Sequence, residues 1–159
     1  KNPLSDAYFI RQRSRYGDSI KYVSSYDGMQ VYDEQLKANR LLIVSLDQSF
    51  GRGTRIQFFN RQMTCAKGTA VLHMRSGAPV LTSVYYVKNN RLHIDFDTVE
   101  LPEYETIDEA SIQDCSSRAI RPYEDWVRQY PDQWFSLFHR LWSKKGYEPV
   151  KRSLRQIFF

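Results

Sequence analysis

LLIVSLDQSFGRGTRIQFFNRQMTCAKGTAVLHMRSGAPVLTSVYYV runs from Leu41 to Val87, and most of the expected architecture follows from it. A mostly apolar run, Leu41 to Leu46, stops at Asp47-Gln48. Only Ser45 interrupts it, which is the composition of a strand buried on both faces, as in a parallel sheet. A basic glycine loop follows, Gly51-Arg52-Gly53, and then Thr54 to Phe59 alternates toward a second strand. Thr64 is a candidate cap for a small-residue helix from about Ala66 to Ser76. Pro79 to Val87 reads as a further strand. Strand, polar tip, helix and strand form a βαβ unit, whose parallel strands need a crossover helix. In such folds ligands bind beyond the carboxyl ends of the strands. Asp47, Gln48 and Arg52 are the residues at that edge.

Outward from this stretch, Ser5 is a candidate cap for a helix from about Asp6 to Tyr16, with Gly17 as its stop. Ser19 to Ser24 alternates as a strand, and Met29 to Asn39 is a helix with Met29, Tyr32 and Leu36 on one face. On the other side, Lys88-Asn89-Asn90 is a hairpin turn, since Asn tolerates positive φ. Arg91 to Asp97 pairs back antiparallel. Ile107 to Tyr130 is helical with an interruption expected near Pro122. Pro131 restarts a short helix through Leu141, placing Trp134, Leu137, Phe138 and Leu141 on its inner side. Residues 144–159 are a basic, aromatic tail.

The chain has 159 residues, enough for one domain with a real core. A net charge of +5 favours an anionic partner, although Lys and Arg are spread rather than clustered. The aromatics fall at core spacing rather than interleaving with a basic stripe, which argues against nucleic acid. Cys65 and Cys115 offer no metal-binding spacing and read as free thiols. No apolar run reaches the length of a membrane-spanning helix, and no signal peptide is visible. The chain opens on Lys1 and leads at once into a helix, with no strand before it. It is read as an internal piece of a longer protein.

Each candidate constellation has a plain alternative. Asp47 is either a site carboxylate or a loop-capping Asp. Gly51-Arg52-Gly53 is an anion-friendly loop or an ordinary turn, and it lacks the GK[ST] ending of a Walker loop. Arg11 and Arg15 share one helix face and Arg13 points elsewhere, so the group is a binding element or a solvated helix end. His93, Asp95 and Asp97 share a strand face and are taken as solvated. None of His73, His93 and His139 has an acidic residue five positions on.

Four blocks, in order, resemble the bacterial lipid A late acyltransferases, the lauroyl and myristoyl transferases of lipopolysaccharide assembly. They are RQRSRYG at Arg11 to Gly17, LLIVSLDQSFGRGTRIQFF with its Asp-Gln and paired Phe, KGTAVLHMRSGAPVLTSVYY, and YPDQWFSLFHRLWSKK at Tyr130 to Lys145. The resemblance implies a lysophospholipid-acyltransferase-like α/β fold, with a mixed, largely parallel sheet flanked by helices and incomplete at its N-terminus. Residues 1–159 are then the C-terminal part of a single acyltransferase domain. It implies transfer of a fatty acyl chain from acyl carrier protein to a hydroxyl of a glycolipid acceptor, at the cytoplasmic face of the inner membrane, with no cofactor or metal. The family's catalytic His, four residues, then Asp or Glu is expected upstream of Lys1, so no catalytic residue is assigned here. The family's Arg matches Arg13, with Arg15 as the alternative, and its Asp matches Asp47. Gln48 and Arg52 complete the expected substrate-binding set. Two positions depart from the family pattern: Asn60 stands where Gly usually follows the paired Phe, and Val87-Lys88 where an Arg is common. The rival reading is a non-enzymatic, membrane-peripheral anion-binding domain.

Overall fold

The computed structural model describes residues 3–19, 23, 28–47 and 53–134. The chain forms two units, Lys1–Leu42 and Ile43–Phe159. In the first, helix α1 spans Pro3–Arg13 and passes into a 3-10 stretch, Ser14–Ser19. Gly17 sits inside that stretch at φ +65°. Helix α2 spans Met29–Lys37. Met29, Tyr32 and Leu36 are half-buried on its inner side, as their spacing predicts. The expected strand at Ser19–Ser24 falls almost wholly outside the described residues.

The described residues of the second unit form two hairpins, a short helix and a long one. Strands β1 (Thr54–Phe58) and β2 (Arg61–Cys65) pair antiparallel, with Ile56 opposite Met63. Helix α3 is Gly68–Ser76, ended by Gly77 in the left-handed conformation at φ +69°. Strands β3 (Leu81–Lys88) and β4 (Arg91–Thr98) pair antiparallel across Asn89-Asn90, both at positive φ. Helix α4, Glu109–Gln129, lies against β1, β3 and α3, and a 3-10 turn, Pro131–Gln133, follows it.

The molecule is α/β, but among the described residues its sheets are two antiparallel pairs rather than one largely parallel sheet. The parallel expectation rested on Leu41–Leu46 as a buried strand. That segment is irregular in the structure, with Leu41 and Ile43 exposed. A strand exists only through a hydrogen-bonded neighbour, and no described strand runs beside it. Thr54–Phe58 instead closes on the nearest chain available. Phe59 and Asn60 take φ +50° and +57°, the two-residue hairpin conformation that matches strand twist. Thr64 is therefore a strand residue and not a helix cap.

Helix α4 also differs from expectation, since it runs unbroken through Pro122. An interior proline removes one backbone bond and costs about 3 kcal/mol. Ile112, Cys115, Ser116, Ala119, Ile120 and Val127 are buried along one side of the helix. At roughly 1.5–3 kcal/mol for each large apolar side chain, that face outweighs the proline. Asp108 starts the helix by accepting the Ser111 N–H at 2.8 Å. That bond holds its carboxyl below the usual range, with the Thr106 hydroxyl assisting.

The main core joins Ile56, Phe58, Phe59, Met63 and Cys65 of the first hairpin to Ile120 and Val127 of α4 and to Trp134. Both cysteines are free and buried. Burial pushes the Cys65 thiol up and the Cys115 thiol up to about 11, so neither is a ready nucleophile at neutral pH. The second hairpin turns Thr82 and Val84 toward α4, where the Thr82 hydroxyl donates to the Ala119 carbonyl at 3.0 Å. Its opposite face carries Leu81, Tyr85, Val87, Leu92, Ile94 and Phe96, all exposed. Gln133 closes part of the β3 edge: its carboxamide accepts the Val87 N–H at 2.7 Å and donates to the Val87 carbonyl at 3.0 Å. No described helix is long and apolar enough to cross a membrane.

Candidate functional site

Two neighbouring stretches and a third far along the chain converge in the second unit. Leu46 packs against the main core, so the next residue, Asp47, is half-buried at its margin. Phe58 ends β1 and Phe59 opens the turn after it, with ring centroids 4.6 Å apart at a steep angle. Trp134, just after the second 3-10 turn, lies edge-on to Phe58 at 5.7 Å and tilted against Phe59 at 6.0 Å. From there its indole Nε1 donates to Oδ2 of Asp47 at 3.2 Å. Asp47 and the paired Phe, both of the second block, thus meet Trp134 of the last block around one carboxylate.

Helix α4 fixes this arrangement from behind. Glu124 accepts the Phe59 N–H through Oε1 at 2.9 Å and pairs with Arg128 through Oε2 at 3.0 Å. The Arg128 guanidinium then stands 5.2 Å from the centroid of the Phe59 ring. Left-handed φ for a bulky residue costs energy and persists only where surroundings hold it. The Glu124 bond and the buried ring supply that hold. Tyr123, one residue earlier, donates its hydroxyl to the Ser83 carbonyl at 2.8 Å. Burial first, then the charges of Asp47 and Tyr85, push its phenol up to about 12. Tyr123 therefore stays a neutral donor beside Asp47.

At the far end of the hairpin, Glu109 accepts the Thr54 hydroxyl at 2.7 Å and the Lys67 ammonium. Lys67 and then Thr54 hold its carboxyl below the usual range. Gly53 has a local reason to be glycine. A Cβ there stands 2.6 Å from the carbonyl carbon of Cys65 and 3.0 Å from the Thr64 methyl. Close backbone approach explains this glycine of the Gly51-Arg52-Gly53 loop without any ligand.

The expected site residues fall in different places. Arg13 ends α1, is exposed, and stands with its guanidinium 5.8 Å from the Phe9 ring centroid. Arg15 donates from Nη1 to Oε1 of Gln12 at 2.9 Å. Both belong to the first unit and Asp47 to the second. Gln48 and Arg52 lie outside the described residues. His93, Asp95 and Asp97 do share a strand face, and the two carboxylates are exposed. Asp95 and Asp97 also help line a groove of about 250 Å³ with Tyr86, Asp125, Trp126 and Tyr130. A hydrogen bond to Asp95 pushes the Tyr86 phenol up to about 12. Among the described residues no group of three His, Cys, Asp or Glu has the placement to hold a metal ion.

Glu124 and Tyr123 escaped the sequence reading because each works through the tertiary fold. Trp134 was expected to face inward, and it does, at 4% exposure. The helix expected around it is not there at Trp134, for Pro131–Gln133 is a single 3-10 turn and Trp134 is extended, and Leu137, Phe138 and Leu141 lie outside the described residues. Its tie to Asp47, 87 residues away, had no signal beyond both residues belonging to blocks of one family.

Comparison with curated proteins and with solved structures finds no match to this chain. A family model does match: that of the bacterial lipid A biosynthesis acyltransferases, over residues 1–144. The match takes in the first three sequence blocks whole and the fourth up to Lys144, including the two that meet around Asp47, and the chain belongs to the bacterial lipid A biosynthesis acyltransferase family.

Proposed function

We propose that this chain forms the acceptor side of an acyltransferase that moves a fatty acyl chain from acyl carrier protein to a hydroxyl of a lipid A precursor. The observation that carries this reading is the meeting of Asp47, the paired Phe and Trp134 in one cluster. A half-buried carboxylate held by an N–H donor is suited to orient a hydroxyl or an amide of a sugar. The general base of this scheme is a His paired with a carboxylate five positions on, the motif that the family implies. It takes the proton of the acceptor hydroxyl as the oxygen attacks the thioester carbonyl, and the thiol of the carrier leaves. Arg13, with Arg15 beside it, binds an acceptor phosphate through its forked N–H groups. Gln48 and Arg52 add polar contacts at the Asp47 edge. The working surface is the cytoplasmic face of the inner membrane. No cofactor enters this scheme.

The test is acyl transfer by the complete protein, with acyl carrier protein thioester as donor and a lipid A precursor as acceptor. Asp47→Asn should lower kcat/KM for the acceptor by on the order of tenfold or more, since hydrogen bonds to charged groups carry roughly 1.5–3 kcal/mol. An Asp47→Asn enzyme as active as the unmodified one refutes the site. Binding of the precursor with no transfer at all supports the rival, an anion-binding domain.

A further inference from the structure

The indole of Trp134 only donates, and an ionised carboxylate only accepts. Their bond at 3.2 Å therefore has one polarity and one direction. The ring itself is fixed: it is 4% exposed and walled by Phe58 and Phe59. A side chain packed to that degree does not reorient without leaving a void. Asp47, by contrast, follows the irregular segment Leu41–Leu46, and no β ladder aligns it. The carboxylate is thus aimed from the tertiary side, by a ring that the hairpin and α4 hold still.

We propose that Trp134 is a positioning residue for Asp47, and that the paired Phe serve as walls for the indole. The proposal rests on the reading of Asp47 as a site carboxylate. It gives the Pro131–Trp134 corner a role in acceptor binding although it need not touch the acceptor. Removing the N–H while keeping a ring leaves the packing in place and takes away the bond that aims Oδ2.

The experiment compares Trp134→Phe, Asp47→Asn and the double variant in the complete protein, with the same donor and acceptor. Trp134→Phe should raise the acceptor KM by on the order of tenfold. Its thermal midpoint should stay within a few degrees of the unmodified protein. The double variant should be no worse than Asp47→Asn, because Trp134 acts only through that carboxylate. A merely structural tryptophan lowers the midpoint and the active fraction and leaves KM alone, and that result overturns the proposal. So do effects of the two single variants that multiply. If Asp47→Asn raises KM and Trp134→Phe does not, the positioning role falls and the Asp47 site stands. If neither raises it, the site falls and the positioning role with it. Should Trp134→Phe fail to fold, NMR of the 159-residue chain decides. Asp47→Ala should shift the Trp134 indole proton and speed its exchange with solvent, and an unmoved, protected indole proton overturns the proposal.

Discussion

Replacing Glu124 should unlock the turn that places the paired Phe. Its carboxylate makes two contacts, one to the Phe59 N–H at 2.9 Å and one to Arg128 at 3.0 Å. The first is a charged hydrogen bond to a backbone donor at the margin of the core, worth roughly 1.5–3 kcal/mol. The second is a helix pair whose Arg128 side chain is 41% exposed, so it adds only about 0.3–0.5 kcal/mol. Part of that survives, because Arg128 also holds Asp125 at 2.8 Å. Alanine returns a few tenths of a kcal/mol through its better helix propensity. Glu124→Ala should therefore cost about 2–3 kcal/mol. Glu124→Gln keeps an acceptor for the Phe59 N–H but not the charge, and neutral bonds are about half as strong, so it should cost about 1 kcal/mol. Urea unfolding of the three proteins measures both differences, provided the slope m is unchanged. Equal and small losses, both under about 0.5 kcal/mol, refute the argument, for then the Phe59 turn holds without Glu124.

Two further changes probe the hairpin and the first helix. Asn60 adopts φ +57°, a conformation glycine takes at no steric cost, so Asn60→Gly should leave stability within about 0.5 kcal/mol of the original or raise it slightly; a loss beyond 1 kcal/mol in urea unfolding rejects the turn assignment. In the complete protein, Arg13→Lys should reduce acyl transfer strongly with folding intact, because an ammonium keeps the charge but not the fork, while Arg11→Lys should be close to neutral. Equal activity of Arg13→Lys and the unmodified enzyme, in the donor–acceptor assay, returns Arg13 to a solvated helix end.

What the sequence displays depends on the range of the interaction. The Asn89-Asn90 hairpin was legible because two residues decide it, and β3 and β4 fall within two residues of their expected bounds. The α2 face was legible because helical spacing alone fixes which side is inward. The parallel sheet was not, since Leu41–Leu46 shows only that it is apolar, and pairing needs a partner that composition does not name. Thr54–Phe59 failed in the same way. Its alternation identifies a strand, but whether the chain then turns back or crosses over hinges on Phe59, a residue with no intrinsic taste for left-handed φ. Pro122 misled for the opposite reason: a strong local signal yielded to the buried side of a 21-residue helix.

The candidate site follows the same division. Asp47 was picked out from its place after an apolar run, and since that run is no strand in the structure, the geometric reason does not hold. What holds Asp47 at the core is Leu46 beneath it and the indole beside it. The family resemblance supplied the blocks in order along the chain, and order carries no information about which blocks touch. The fold adds that contact. It gathers Asp47, Phe58, Phe59 and Trp134 into one cluster and leaves Arg13 in a separate unit. The carboxylate and its supports can thus be tested as a single physical unit through Glu124, Asn60 and Trp134. Arg13 needs its own test, because it belongs to the first unit and they belong to the second.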